Sequence, residues 1–267
     1  MSTATPKTLD STLFNGRLYR RILALWFDDL PRPASAPPFS LMQRWFGINL
    51  SLEDKAAFDT SCRALAEEPL LSIGSEQFPL PAAASGSHDS VDETIASPFA
   101  SHLQPDNRVA PAAQLAPEET ALALILLLDQ LSRNCFRAEA RHCYQHYDRI
   151  SRAILRNLVI PQGLDMSERY RDSPPWVVWF YLPLMHSEDL RDHDFLSKKL
   201  EDLKKRMDEK GDQEAADYVK NTMGFEQRHR VILERFSRYP HRNKVMGREH
   251  TNEEEKYMNE GGESFGG

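Results

Sequence analysis

Cysteine is scarce in this chain. The three present, Cys62, Cys135 and Cys143, are odd in number and form no CxxC pair, which argues against a disulfide framework and for a reducing compartment. Long apolar runs are missing too. The longest, Ala121 to Leu128, falls far short of the roughly 20 residues a bilayer crossing needs, and the opening stretch MSTATPKTLDSTLFNGRLYRR has no apolar leader core. These absences imply a soluble, cytoplasmic protein without a membrane partner. Positive charge is not in surplus either: the formal net charge is −7, so no global field favours a nucleic-acid partner.

Familiar catalytic signatures are also lacking. There is no glycine-rich phosphate loop, no GxSxG elbow and no HExxH pair. His142 and His146 stand four residues apart around Cys143, but no second ligand pair accompanies them, so they read as a solvated or interhelical pair rather than a metal site. No metal or other cofactor is expected.

What is present is helical periodicity from end to end, without strand-like alternation. Helices are expected over about Leu13–Leu30, Phe39–Phe46 and Leu52–Leu65, the last behind a Ser51 cap. Others should run from Pro117 or Glu118 through Phe136, over Ala138–Leu158, and from Pro175 to about Leu190 with a kink at Pro183. Two more fill Asp194–Lys210 and Gln213–Tyr239, before a C-terminal tail, 251–267, that opens with a short helix. The expectation is one all-α domain over residues 1–267, with helices packed as antiparallel pairs. Between Ser72 and Pro117 the texture turns to Pro, Ala, Ser and Gly, which reads as a flexible, disordered insertion within that domain.

Polar residues gather in three places on this apolar frame. In LLLDQLSRNCFR, Asp129, Gln130, Arg133, Asn134 and Arg137 interrupt a core helix, with Asp129 beside Arg133 and Arg133 beside Arg137 at helical spacing. Charges so placed form either an interhelical salt bridge or a fork for an anionic ligand. In FYLPLMHSEDL, His186, Ser187, Glu188 and Asp189 follow Pro183, and Asp189 stands where its carboxylate could hold the His186 ring. In RFSRYPHRNKVMGRE, Pro240 ends a helix, and Arg238, His241, Arg242 and Asn243 form a polar elbow that is either a helix cap or part of a site.

These segments in this order, LALILLLDQLSRNCFR, WFYLPLMHSEDL and RHRVILERFSRYPHRNKVMGREHTNEE, resemble the domain of unknown function 924 family of bacteria and fungi. ILALWF near the start and GGESFGG at the end add to the resemblance. It implies an array of helix hairpins like that of tetratricopeptide-repeat proteins, and it brings no activity with it. The stretch 72–117 and the connection from Gln162 to Ser173 stand out from the family as loop insertions.

Three functions are compatible with these residues. The first is a binding or scaffold protein that recognises a peptide or small anionic ligand along a groove lined by Arg133, Arg137, Arg238 and Arg242. The second is an enzyme in which His186 or His241 acts as general base, oriented by Asp129 or Asp189. The third is a buried polar network that only fixes helix register. Glu188, Gln130, Asn134 and Asn243 join the candidate ligand-binding set. Oligomeric state is not legible.

Overall fold

The computed structural model describes residues 8–81, 89–104 and 115–265, and no strand occurs among them. Helix α1 is Gly16–Phe27, opened by Asn15, whose side chain accepts from the amides of Arg17 (3.0 Å) and Leu18 (3.2 Å). Helix α2 is Phe39–Phe46, as expected. Helix α3, Leu52–Ser72, starts where Ser51 Oγ accepts the Asp54 amide at 3.0 Å, and it runs past the expected end at Leu65 in spite of Pro69.

Helix α5 is a continuous rod of three parts: Pro117–Ile125, a π-helical stretch Leu126–Leu131, and Ser132–Cys135. Helix α6 follows in the same manner through Ala140–His142, π-helical Cys143–Tyr147, Asp148–Ile154 and π-helical Leu155–Val159. Helix α7 is Pro174–Met185 and does not reach Leu190, because the chain leaves the helix at His186. Helices α8, Leu190–Lys210, and α9, Gln213–Phe236, form a tight hairpin. Gly211 sits between them at φ 72°, a left-handed turn that a side chain would strain, and Asp212 then caps α9 at the Ala215 amide.

The core forms around α5 and α7, the two most apolar rods. Residues Ala121 to Leu128 are wholly buried, and in α7 every residue but Leu182 is buried. Helix α1 packs on α5, and α8 and α9 pack on α7. All four tryptophans belong to the seam that fastens the N-terminal helices to α7: Trp179 meets Trp26 and Trp45 edge-on at 5.0 and 4.9 Å, and Trp176 stacks on Phe27 at 3.7 Å. No helix among the described residues is long and apolar enough to cross a membrane.

The stretch 72–117 departs from the expectation of a disordered insertion wherever it is described. Helix α4, Asp89–Ala96, and the 3-10 turn Ser97–Leu103 dock on the domain, burying Ile95, Ala96, Phe99 and Leu103. Composition averaged over the stretch hid these four apolar anchors. Residues 82–88 and 105–114 lie outside the described residues. The C-terminal tail folds back on α9: helix α10, Asn252–Asn259, is capped by Thr251, and Tyr257 and Phe265 join a small second core with Ile232, Leu233 and Tyr239.

Truncating Leu124→Ala in the centre of α5 should cost about 2–5 kcal/mol in urea unfolding, because a cavity replaces fully buried methylenes. Leu52→Ala, whose side chain is 86% exposed, should change stability by less than about 0.5 kcal/mol.

Candidate functional site

Asp129 is the most deeply placed carboxylate of the chain's apolar centre, with no exposed surface. It lies in the π-helical part of α5, where the wider turn accommodates an extra residue and turns polar groups out of α-helical register. A charge there is stable only when fully partnered. His186 Nδ1 meets Asp129 Oδ1 at 2.8 Å, Gln130 Nε2 donates at 2.5 Å, and the Arg133 guanidinium stands 3.6 Å away. Arg133 is itself gripped by Asp148 of α6 through two hydrogen bonds of 2.7 and 2.9 Å.

His186 is the C-cap of α7, the point at which the helix stops beyond Pro183. Its carbonyl accepts from Arg242 Nη1 at 2.9 Å. Side-chain and main-chain bonds at one residue therefore tie together all three polar segments of the sequence. Asp189 does not hold the ring as expected: it caps α8 at the Arg191 amide (3.0 Å) and pairs with the Arg191 side chain. With the helix broken at His186, the three-residue spacing no longer brings the two side chains together.

The electrostatics of the pair follow from burial. Desolvation lowers the His186 pKa below its usual value, Arg133 pushes in the same direction, and the attraction of Asp129 does not reverse the shift. Burial works against the Asp129 charge, but the His186 and Arg133 charges and hydrogen bonds from His186 and Gln130 hold its carboxyl below the usual range. At neutral pH this describes a carboxylate accepting the Nδ1–H of a neutral imidazole, a tautomer assigned from the hydrogen-bond pattern. Among the described residues, His186 Nε2 has no hydrogen-bond partner.

His186 lines a recess of about 150 Å³, together with Tyr144, Arg149 and Arg152 of α6, Glu188, and Arg242 of the elbow. Arg152 is held from behind at 3.4 Å by two buried carboxylates, Asp92 and Asp192. Asp92 comes from α4, so the stretch 72–117 supports the site. Glu188 accepts two hydrogen bonds from Arg248 (2.6 and 2.9 Å) and one from the Tyr239 amide (2.9 Å). Burial opposes its charge, yet these donors keep its pKa below the usual glutamate value.

Of the residues singled out in the sequence, Asp129, Gln130, Arg133, His186, Glu188 and Arg242 meet at or directly behind the recess. The others go elsewhere. Asn134 and Arg137 both turn to Asp59 of α3, at 2.8 and 2.9 Å. Arg133 and Arg137 thus face different carboxylates and form no shared fork. Arg238 pairs with Glu254 at 2.6 and 2.7 Å, and Asn243 is buried with Nδ2 3.2 Å from His250. His241 lies against Tyr239 and Phe265, and burial pushes its pKa down to about 4.

Tyr144, Asp148, Arg149 and Arg152 escaped the sequence reading. Their signal was a polar stripe at four-residue intervals, Tyr144, Asp148, Arg152 and Arg156, on a helix whose other side carries Ile150 and Ile154. Among the described residues no group of three or more His, Cys, Asp or Glu is arranged to hold a metal ion. The buried thiols are poor nucleophiles, burial raising Cys143 to about 11 and Cys62 to about 12.

Comparison with known proteins agrees with the architecture. Residues 22–262 match a family model described as bacterial protein of unknown function (DUF924). A solved structure of a protein of unknown function from Agrobacterium tumefaciens is similar over 94% of this chain and 99% of that chain, with 25% identity and a TM-score of 0.55. No curated protein matches the chain.

Arg133→Met should destabilise the fold by about 3–5 kcal/mol in urea unfolding, since it strips the cation from two buried carboxylates. Arg137→Ala, at a half-exposed pair, should cost less than about 1 kcal/mol. Stability should also fall in acid. Burial pushes His229 down to about 3, so between pH 6.5 and 3 the unfolded chain binds a proton that the folded chain refuses. Stability is then complete above about pH 6.5 and declines below it by up to about 1.4 kcal/mol per pH unit for this ring. His229→Gln should flatten that slope in chemical unfolding from pH 7 to 4.

Proposed function

The chain belongs to the DUF924 family, described as bacterial protein of unknown function, and from its site we propose that it is an enzyme that moves a proton on a small-molecule substrate, with His186 Nε2 as the base. The observation that carries this reading is the Asp129–His186 pair itself. A buried carboxylate 2.8 Å from Nδ1 fixes the tautomer, and the other nitrogen is left unclaimed on a residue that lines a recess. This is the arrangement in which a neutral imidazole takes a proton from a substrate O–H, a water or an acidic carbon. The imidazolium that forms is stabilised by Asp129, which keeps its negative charge throughout.

Size supports a small molecule over a peptide: a recess of about 150 Å³ holds a compact organic molecule or several waters. The groove of four arginines has little support, because Arg133, Arg137 and Arg238 are spent on Asp148, Asp59 and Glu254. Those pairs favour the register-fixing role for Asn134, Arg137 and Arg238. The same reading includes a reducing, cytoplasmic setting, supported by three unpaired buried cysteines, and a tetratricopeptide-like hairpin array, supported by the α8–α9 hairpin.

Incubation of the protein with metabolite mixtures, followed by mass spectrometry, should reveal a compound that the wild type converts. His186→Asn should reduce that conversion about 10²–10⁴-fold with little change in melting temperature. The rate should rise with pH through a value below 6.5 and level off near neutrality, since the lowered His186 pKa leaves the base free there. Undiminished turnover by His186→Asn would sink the assignment.

A further inference from the structure

Arg242 is the most deeply buried of the three arginines that line the recess. It is 4% exposed, and a guanidinium so placed requires compensation. Arg133, Arg152, Arg156 and Arg248 each pair with a carboxylate. Arg242 has no ion pair among the described residues. In place of one, its guanidinium carbon lies over two aromatic rings, 4.5 Å from the centroids of both Tyr144 and Tyr239.

Its hydrogen bonds are one-sided. Nη1 is anchored by the His186 carbonyl at 2.9 Å, whereas Nε is buried without a partner and Nη2 makes no hydrogen bond among the described residues. Nε and Nη2 form the side edge of a guanidinium, two nearly parallel N–H groups at the spacing of two oxygens on one carboxylate or phosphoryl group. Asp148 and Glu188 also line the recess, but they are already committed to Arg133 and Arg248. Arg149 and Arg152 add two further positive charges to the lining, and burial together with its like-charged neighbour Arg152 works against the Arg149 charge. An anion in the recess would compensate Arg242 and Arg149, the two lining guanidiniums for which no ion pair occurs among the described residues.

We infer that the stacked, unpaired edge of Arg242 is an oxyanion clamp, and that the substrate of the recess is a small molecule bearing a carboxylate or phosphoryl group. The inference rests on the recess being the site proposed above. Because Arg242 is bonded to the backbone of His186, the clamp holds the anionic end of the substrate beside the residue that carries the base. The X–H bond to be broken then lies within a few bonds of the anionic group, in a compact organic acid or phosphate ester.

Titration of the wild type with inorganic phosphate and with acetate, against chloride at matched ionic strength, tests this by calorimetry or by amide chemical shifts. At least one anion should bind in preference to chloride. Arg242→Gln should weaken that binding about tenfold or more, and Arg242→Lys should weaken it too, because the charge survives but the paired edge does not. Lys also serves as the informative variant if Gln does not fold. His186→Asn should leave anion affinity within about twofold, since its carbonyl still anchors Nη1. Stronger binding of phosphate assigns a phosphoryl substrate, and stronger binding of acetate a carboxylate. If neither anion competes with chloride, or if both Arg242 variants bind as the wild type does, the clamp is wrong. Arg242-dependent binding alongside undiminished turnover in His186→Asn would keep the clamp and remove the base.

Discussion

A carboxylate without exposed surface, set in one of the two most apolar rods of the chain, is the constraint around which the rest of the polar structure is arranged. Asp129 can stay charged there only if donors arrive from more than one direction, and they come from Gln130 and Arg133 of its own helix and from His186 at the end of α7. Each donor brings a requirement of its own. Arg133 needs Asp148 as a second partner, which fixes the face that α6 turns toward α5. His186 must leave α7 at a particular point, which Pro183 and the end of the helix at Met185 arrange. The elbow after α9 must come near enough for Arg242 to reach the His186 carbonyl.

Around that centre, pairing follows an alternating pattern of charge. Asp92 and Asp192 sit behind Arg152, and Arg248 sits behind Glu188. Arg152 and Glu188 are thus neutralised by groups farther out, which leaves the inner surface ordered without filling it. The exceptions stand out for that reason. Among the described residues, His186 Nε2 makes no hydrogen bond and Arg242 no ion pair, and both residues line the recess. Leaving such groups unpaired costs stability, a cost that binding sites commonly carry.

The stretch from 72 to 117 illustrates how composition can mislead. Pro, Ala, Ser and Gly dominate it, and on average it cannot support a core, yet Ile95, Phe99 and Leu103 are buried against the domain and Asp92 reaches Arg152 of the recess. A few apolar residues at the right spacing count for more than the mean over a window. In α5, by contrast, helical periodicity predicted the element correctly but not the partners within it. The i,i+4 relation of Arg133 and Arg137 suggested one cationic fork, whereas the π-helical stretch and the neighbouring helices send one to Asp148 and the other to Asp59.

By itself the sequence determined the helical class, most helix positions and three polar segments, because these follow from local periodicity, capping residues and the contrast of charge with an apolar surround. Ser51 could be read as a cap because a cap acts over three residues. Only the tertiary structure decided which carboxylate holds His186, which arginines are spent on partners, and that α6 supplies much of the recess. Asp129 and His186 are 57 residues apart and Arg152 and Asp92 are 60 apart, so their pairing depends on how whole helices pack. The same packing, and no local rule, placed His186 and Arg242 in the lining of the recess and left one nitrogen of the first and Nε of the second without a partner among the described residues.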